Sequence, residues 1–294
     1  MKLPRITLVT PSYNHAQYIG MTVRSVVLQR YPDLEYILMD GGSSDGTMDV
    51  LAPYMDHFAY AVSEKDKGQS DAICRGFEKS TGEIMGYLNS DDVLAPGALQ
   101  AVADFFLAHR EVDALYSHRC AIDAPGRVVW YWILPQHSDY LMMRWDLIPQ
   151  ETCFWRRRIF EKAGNVDPSY RFAMDYDLFV RYMSNGGRFA RINRFLGAFR
   201  QHDQSKTSTL LATIGQEEVR KVWAKYNLHN HFGDHIRSTR FMHGAMRNGS
   251  AYAQSGRQLP GALSGVGYDY DDVWGGMLKD PRIPPRVAGT TMLV

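Results

Sequence analysis

The sequence has few cysteines and no long apolar run. Its 294 residues include three cysteines, Cys74, Cys120 and Cys153, and no two of them form a CxxC pair. This spacing argues against a disulfide framework or a zinc site and fits a reducing compartment. The apolar stretch before Pro11 is short, and no run reaches the roughly 20 apolar residues that span a bilayer. We therefore expect a cytoplasmic protein without a signal peptide or membrane span.

An excess of charge of one sign is also missing. Lysine and arginine number 33 and aspartate and glutamate 32, so the net charge is +1. This balance lacks the basic field of a nucleic-acid-binding protein, and we expect no nucleic-acid partner. The 45% hydrophobic and 22% charged residues are typical of a soluble globular protein. The length fits one large α/β domain or such a domain with an extension.

The first 110 residues alternate between short apolar runs and segments with helical spacing. Strands are predicted at 6–10, 34–39, 58–63 and 83–88, and helices at 18–29, 48–55 and 71–80. The alternation predicts an α/β fold with a mostly parallel central sheet flanked by helices. Each strand is followed by a polar loop: TPSYN, DGGSSDGT, SEKDKGQS and NSDD. Ligand sites in parallel sheets lie at the carboxyl ends of strands, so we expect these loops to form one site.

The second half of the chain has a different rhythm. Helices are predicted at 96–110, 176–184 and 210–226, and strands at 114–117, 128–133, 152–155 and 189–200. After about residue 230 the periodicity is lost, and glycine and proline become frequent. We therefore predict a main domain at 1–229, which ends in a helical segment, and a loop-rich C-terminal extension at 230–294.

Two adjacent acids, Asp91 and Asp92, end the fourth predicted strand. Neighbouring carboxylates repel each other, and a fold tolerates them where a cation or a donor-rich ligand lies between them. The alternative is an exposed turn followed by a helix cap. The acids alone do not decide between these two interpretations.

Several segments together resemble the inverting family 2 glycosyltransferases, which have the GT-A fold. They are TLVTPSYNHAQYIGMTVRSVVLQ, MDGGSSDGT, SEKDKGQSDA and TGEIMGYLNSDD, followed more sparsely by QETCFWRRRIFEKAGNVD, MDYDLFVRY and FRQHDQSKTS. The resemblance is dense over residues 5–105 and continues to about 207. It implies that residues 1–110 bind a nucleotide sugar and that 111–209 form the acceptor half.

The implied activity is transfer of a hexosyl group, with inversion, from a nucleoside-diphosphate sugar to a carbohydrate or lipid-linked glycan acceptor. A UDP-sugar is the expected donor, and Mn²⁺ or Mg²⁺ the expected cofactor, because these ions prefer carboxylate, phosphate and water oxygens. The implied role is synthesis of cell-surface polysaccharide. Peripheral association with the inner face of the membrane and assembly into a homo-oligomer are left open.

The resemblance also assigns residues to the donor and the metal. The donor-binding candidates are Thr10, Pro11, Tyr13, Asn14, Asp40, Asp66, Lys67, Asp91 and Arg200. Asp92 is the expected direct metal ligand, Asp91 is a second metal candidate that is expected to face the ribose or the donor sugar, and His202 is a third. The alternatives are an Asx-turn cap for Asp40 and a solvent-exposed side chain for Lys67 or His202.

Inverting transfer needs a carboxylate that takes the proton of the acceptor hydroxyl. Asp175 matches the position of the family's base, and Asp177 is expected to cap the helix or pair with Arg181 four residues later. The alternative for Asp175 is an acid at a helix N-terminus that only stabilises the helix. On the acceptor side the candidates are Gln150, Glu151 and Trp155, with burial of Trp155 in the core as the alternative.

The chain departs from the family pattern at three positions. Gly41 stands where a second aspartate is common, which leaves the bound base open, Asn89 replaces the first acid of Asp-x-Asp, and Cys74 stands where asparagine is frequent. Two other functions are considered: a nucleotidyltransferase that makes the nucleotide sugar, and a catalytically silent sugar-nucleotide binder. Against a nucleotidyltransferase, the sequence lacks a Gly- and Arg-rich loop with a lysine after the first strand. Against a silent binder, the acids expected for metal binding and catalysis are intact.

Overall fold

The computed structural model describes residues 2–132, 134 and 137–228; the predicted extension at 230–294 lies outside this part. The strands are β1 (Ile6–Ser12), β2 (Leu34–Asp40), β3 (Tyr60–Ser63), β4 (Ile84–Tyr87), β5 (Val93–Leu94), β6 (Ala114–Ile122), β7 (Val128–Trp132), β8 (Phe154–Arg156) and β9 (Phe189–Arg200). The α-helices are α1 (Ala16–Val27), α2 (Thr47–Leu51), α3 (Gln69–Glu78), α4 (Ala98–Ala108), α5 (Asp139–Met142), α6 (Arg157–Ala163), α7 (Met174–Ser184), α8 (Lys206–Leu210) and α9 (Gln216–Lys225). Two 3₁₀ helices, Ala52–His57 and Gln150–Thr152, and a π-helical turn, Leu211–Gly215, complete the secondary structure of this part.

The N-terminal half forms the parallel part of one mixed sheet. Its strands lie in the order β3-β2-β1-β4, and every pairing among them is parallel, as the sequence predicts. Strand β1 continues through Pro11, where the sequence predicted its end. Leu88 donates a backbone hydrogen bond to Val9, so Pro11, two residues later, faces the side where β4 has already ended. The missing N–H of proline therefore costs no ladder bond.

The second half extends the sheet in the order β8-β6-β9-β5, with β7 on the edge of β6. Here antiparallel pairs predominate: β4 with β8, β8 with β6, β6 with β7 and β9 with β5, whereas β6 and β9 are parallel. Strand β5 directly follows the two adjacent acids and pairs with the end of β9. This pairing brings the segment after β9 to the carboxyl end of β4.

Helices cover both faces of the sheet. One core cluster packs α1 and α4 on one face, through residues such as Ile19, Val23 and Phe106. The other packs α3, α6, α7 and α9 on the opposite face, through residues such as Phe77 and Phe179. The sequence therefore folds into the predicted helix-flanked α/β domain. In the part of the chain that the structure describes, no helix has the length and apolar character that crossing a bilayer requires.

Candidate functional site

The two adjacent acids lie in the turn between β4 and β5 and have different partners. Asp91 has its Oδ2 3.0 Å from Nε2 of His202. Asp92 is almost fully buried; its Oδ1 accepts the backbone N–H of Arg200 at 2.9 Å and its Oδ2 accepts the amide of Asn89 at 3.3 Å. Both oxygens of Asp92 are thus engaged by the protein, whereas Asp91 is the more open carboxylate. That Asp92 is the direct metal ligand stays a prediction, and the more open Asp91 is the second candidate.

The electrostatics separate the two acids further. Burial and the charge of Asp91 raise the pKa of Asp92 well above its ordinary value. Burial also acts to raise the pKa of Asp91, but the hydrogen bond from His202 and the nearby His15 outweigh it and lower that pKa. The pKa of Asp91 therefore lies below that of Asp92.

Asp91 and His202 fit a divalent cation as partial ligands. The Nδ1 of His202 is buried and has no hydrogen-bond partner in the structure. No group of three or more His, Cys, Asp or Glu side chains that could hold a metal occurs within residues 2–132, 134 and 137–228. Divalent ions bound by one or two protein side chains take phosphate oxygens and water as further ligands. His15 lies beside this pair, with Nδ1 2.6 Å from the hydroxyl of Ser90, and was not singled out from the sequence.

Arg200 does not point to a phosphate site, so that prediction is wrong. Its side chain is fully buried, and its guanidinium donates to the backbone carbonyls of Asp91, Asp123 and Ala124 at 2.7, 3.1 and 2.8 Å. Arg200 thus links the turn that holds Asp91 to the loop between β6 and β7. Buried arginine with all these carbonyl partners is a structural tie.

Two predicted donor contacts also hold the protein itself together. Thr10 is fully buried with its hydroxyl 3.1 Å from that of Tyr36, so a direct side-chain contact to a donor is excluded in this structure. Asp40 accepts the N–H groups of the next loop and the hydroxyls of Ser43 and Ser63. The Asx-turn cap, the alternative for Asp40, is what the structure shows.

Other donor candidates are more open. Tyr13 is 61% exposed. Lys67 is exposed and Asp66 half-buried, with Oδ1 of Asp66 accepting the N–H of Gly68 at 2.7 Å. Asn14 has a φ of 51° and its Oδ1 accepts the N–H of Ser44. Among the described residues at this edge, Tyr13, Asp66 and Lys67 are therefore free to approach a ligand. The side chain of the fifth candidate, Pro11, is buried within β1.

The departure at Gly41 has a structural reason. A Cβ atom at this position would lie 2.9 Å from Oδ2 of Asp66. The carboxylate of Asp66 therefore fills the space that the side chain of a residue at position 41 would need. One carboxylate is present at this point of the loop cluster, supplied by position 66.

Asp175 lies in the first turn of α7 and is half-buried. Burial raises its pKa, although the N–H of Tyr176, 2.9 Å from Oδ1, and the charge of Arg119 act in the opposite direction. Asp177 is fully buried and bonds to Arg181 at 3.1 Å and Lys225 at 2.8 Å. The predicted ion pair between Asp177 and Arg181 is confirmed.

A carboxylate from α9 fixes the start of α7. Glu218 accepts the backbone N–H groups of Arg171, Phe172 and Ala173 at 2.9, 2.8 and 2.9 Å. These donors precede the helix that carries Asp175, and a buried carboxylate is the favourable partner for such a helix N-terminus. Glu218 therefore positions the turn of Asp175. No local sequence signal points to it, because it is 45 residues from Ala173.

The three acceptor-side candidates are buried. Trp155 is 0% exposed and its ring packs against those of Phe77 and Phe179, so the prediction that it stacks on an acceptor is wrong. Gln150 donates to the carbonyl of Tyr87 at 2.6 Å and accepts from Asn89, which leaves its amide no role toward an acceptor.

Glu151 forms a bidentate ion pair with Arg119, at 2.8 and 2.9 Å. It is almost fully buried, and its charge acts on the pKa values of Asp92 and Asp175, so it lies between them. Arg119 is the cation among these acids and was missed in the sequence, where nothing marks it beyond its place in a strand. The acceptor role predicted for Glu151 gives way to a role in holding this arginine.

Asn89 connects these groups. Its Oδ1 accepts from Gln69 at 2.5 Å, and its Nδ2 donates to Asp92 and Gln150. An aspartate in this place could only accept, and it would add a charge next to Asp92. The amide therefore suits position 89 better than the acid that the family pattern has there.

Asp146 is a second acid that the sequence analysis missed. Surrounding protein atoms, together with the charge of Asp175, raise its pKa well above the ordinary value. Asp92, Glu151, Asp175 and Asp146 thus surround Arg119 in one cleft. A group of carboxyls around one cation, three of them with raised pKa values, marks a candidate functional site.

The chain is similar to known proteins in both sequence and structure. The model of the family described as "Glycosyl transferase family 2" matches residues 7–166, which is more than half of the chain. An uncharacterized glycosyltransferase from Nostoc sp. is 24% identical over 229 residues, covering 74% of this chain and 70% of that protein. Chondroitin synthase from Escherichia coli is 29% identical over 211 residues, covering 66% of this chain but only 28% of the synthase.

Solved structures share the fold. The mannosyltransferase PcManGT from Pyrobaculum calidifontis, in complex with GDP-Man and Mn²⁺, has a TM-score of 0.60 and 19% identity, covering 89% of this chain and 78% of that one. S. aureus TarS 1-349 in complex with UDP-GlcNAc has a TM-score of 0.61 and 15% identity, covering 95% of this chain and 82% of that one. These likenesses show the GT-A fold that the sequence predicted.

Proposed function

The chain belongs to glycosyl transferase family 2, and we propose that it transfers a hexosyl group, with inversion, from a nucleoside-diphosphate sugar to a carbohydrate or lipid-linked acceptor. The observation that carries the proposal is the meeting of two sets of groups at one edge of the sheet. The Asp91–His202 pair suits a metal-bound diphosphate, and Asp175, with its raised pKa, suits a base.

The donor we propose is a UDP-sugar, with a divalent metal. Structural neighbours have been solved with UDP-GlcNAc and with GDP-Man and Mn²⁺, which supports this class of donor and cofactor. In this chain Asp91 and His202 would hold the metal, which when bound acts as a Lewis acid on the leaving diphosphate. Tyr13, Asp66 and Lys67 are the open groups for the nucleotide and its phosphates.

Lys206, missed in the sequence, would add a cation near the diphosphate. It is half-buried, its Nζ donates to the carbonyl of Arg171 at 2.8 Å, and burial together with the charge of Arg171 lowers its pKa to about 8. The charges of Asp175 and Asp91 act on it from both sides of the cleft. A lysine so placed can neutralise charge that leaves with the nucleotide.

Asp175 would take the proton of the attacking hydroxyl. Inversion requires attack on the anomeric carbon from the side opposite the leaving group, so the base must face away from the metal. A carboxylate works best as a base when its pKa lies closer to the working pH, and burial moves the pKa of Asp175 in that direction. Glu218 keeps the turn of Asp175 in place during this step.

The pathway we propose is assembly of a cell-surface glycan. A relative from Mycobacterium bovis BCG, a PGL/p-HBAD biosynthesis glycosyltransferase, is 29% identical over 189 residues and covers 63% of this chain and 72% of that protein. The three cysteines form no disulfide, which supports the cytoplasmic location that we propose with this role.

Incubation with UDP-GlcNAc or GDP-Man, with Mn²⁺, with Mg²⁺ or with EDTA, tests the proposal. We expect metal-dependent release of nucleoside diphosphate and, by NMR, an anomeric configuration in the product opposite to that of the donor. Retained configuration contradicts the inverting mechanism. Release of pyrophosphate from a nucleoside triphosphate and a sugar phosphate would instead show a nucleotidyltransferase, and donor binding without turnover would show a silent binder.

A further inference from the structure

Strand β7 places two tryptophans on one face of the sheet. Trp130 and Trp132 are two residues apart, so their side chains point the same way, and their rings lie 5.5 Å apart at 71°. Both are half-buried. The Nε1 of Trp130 donates to the side chain of Gln201 at 3.0 Å, which fixes the orientation of this ring.

The register of the sheet leads from these rings to the catalytic cleft. Trp132 lies opposite Arg119 on β6, and Arg119 lies opposite Gly197 on β9. Residues directly opposite each other share one face, so Trp132 and the guanidinium of Arg119 are neighbours on it. The guanidinium lies 5.0 Å from the ring of Trp132 and binds Glu151.

The row of opposite residues Trp132, Arg119 and Gly197 is close-packed at its Gly197 end. A Cβ atom at Gly197 would lie 2.8 Å from the carbonyl oxygen of Glu151. Only glycine lets the segment of Glu151 lie directly on β9, and thereby hold Arg119 between Trp132 and the acids. The two indoles therefore lie beside Arg119, whose charge interacts with those of Asp92, Asp146 and Asp175.

These side chains have the chemistry of a sugar-binding platform. A pyranose ring has an apolar face of C–H groups, which packs on an aromatic ring, and a rim of hydroxyls, which donate to carboxylates. The rings of Trp130 and Trp132 supply the aromatic partner, and Asp146 and Asp175 supply the carboxylates. Arg119 is already paired with Glu151, so it offers no unpaired charge to a protein partner.

We propose that Trp130 and Trp132 stack a pyranose ring of the acceptor glycan and hold its hydroxyl toward Asp175. The proposal rests on the proposed glycosyl transfer and specifies its acceptor as a carbohydrate whose ring packs on the indoles. It replaces Trp155, which the core buries, as the aromatic contact of the acceptor.

Tryptophan fluorescence of the full chain, titrated with chitotriose, mannotriose, cellotriose and maltotriose, tests the platform. The parent is compared with Trp130→Ala and Trp132→Ala. We expect at least one saccharide to quench the parent, and its Kd to rise about 2- to 10-fold for each lost ring. Mn²⁺-dependent hydrolysis of UDP-GlcNAc or GDP-Man is measured in parallel. It should stay within about twofold of the parent in Trp130→Ala, whose indole bonds Gln201; Trp132 lies against Arg119, so Trp132→Ala is judged on saccharide binding alone.

Matched variants separate stacking from folding. Trp130→Phe and Trp132→Phe keep a ring and should retain most of the saccharide affinity. Val129→Ala lies on the opposite face of β7, and Tyr140→Ala removes an exposed ring elsewhere; neither should change saccharide binding.

The outcomes distinguish the platform from the activity itself. The platform is overturned if the parent hydrolyses the donor but binds none of the four saccharides. It is also overturned if the alanine variants bind the saccharides as well as the parent does. Both outcomes are compatible with glycosyl transfer. Loss of donor hydrolysis in Trp130→Ala with an intact fold places this ring in the donor site and also overturns the platform. A parent without donor hydrolysis contradicts the proposed function, whatever the saccharides do.

Discussion

The imidazole Nε2 of His202 lies 3.0 Å from Oδ2 of Asp91, a residue 111 positions earlier in the chain. The contact joins the turn after β4 to the segment after β9. Strand β5, which pairs with β9, places these segments side by side. The metal and the diphosphate would therefore be held from two distant parts of the sequence.

Replacing His202 with alanine should weaken the affinity for the metal that supports donor hydrolysis. The variant loses the partner of Asp91, so we expect the Mn²⁺ concentration for half-maximal hydrolysis to rise about 10- to 100-fold, as for other partners of metal ligands. His109→Ala, at an exposed ion pair with Glu111, is the matched control and should leave that concentration unchanged. An unchanged Mn²⁺ dependence in His202→Ala would remove the histidine from the metal site.

The variant Asp175→Asn should keep donor affinity but lower turnover by about 10² to 10⁴, the usual contribution of a positioned base. Asp177→Asn is the control on the same helix. It breaks the ion pairs with Arg181 and Lys225 and should lower the melting temperature without a specific loss of turnover per folded molecule. Near-normal turnover in Asp175→Asn would make Asp146 the next candidate, since it shares the cleft and its pKa is raised.

Glu218→Gln should act on catalysis from a distance. A neutral amide loses the charged hydrogen bonds to the start of α7, which we expect to destabilise the fold by about 1 to 3 kcal/mol. At a temperature where the variant is folded, kcat should fall and its pH profile should shift, while the Kd for the donor is unchanged. A loss of stability with unaltered kcat and pH profile would limit Glu218 to a structural role.

Glu35 offers a test of pH-dependent stability away from the site. Burial acts to raise its pKa, but hydrogen bonds from Thr7, Thr81 and Gly82 outweigh it and hold the pKa below the ordinary value. A carboxylate with a lowered pKa stabilises the fold above its unfolded pKa of about 4.3, and this contribution is lost as the pH falls further. Glu35→Gln should therefore cost about 1 to 3 kcal/mol at pH 7.

The difference between Glu35→Gln and the parent should shrink below about pH 4, when urea denaturation is followed over a pH series. Glu111→Gln, on the exposed surface, is the control and should match the parent throughout. A difference that persists unchanged at pH 3 would show that the carboxylate charge of Glu35 contributes nothing.

The parallel half of the fold was predictable because its signals are local. Each short apolar strand is followed by its own polar loop, and the ion pair of Asp177 with Arg181 follows from a spacing of four residues. The helix predicted at 210–226 shows the limit of such signals. Its apolar spacing continues across the π-helical turn Leu211–Gly215, so the pattern cannot reveal that α8 and α9 are separate helices.

The site was predictable only where a residue acts through its own neighbours in the sequence. Arg119 meets Glu151 across 32 residues, and no local pattern links them. Arg200 was assigned to the donor by the family resemblance, but its guanidinium donates to the backbone carbonyls of Asp91 and Ala124 instead. Strand β7 reads VVWYW, which is apolar on both faces, so the alternation that would have identified the two half-buried indoles is absent.

The space beside Gly41 makes positions 41 and 66 an epistatic pair. Any side chain acquired at 41 meets the carboxylate of Asp66 first, so its effect depends on which residue stands at 66. An aspartate at position 41 avoids this steric conflict if position 66 has first been replaced by a small residue. In the reverse order of substitution, both side chains would compete for the same space. A carboxylate at this point of the loop cluster can thus be supplied by either of two loops during divergence while its place in space stays the same.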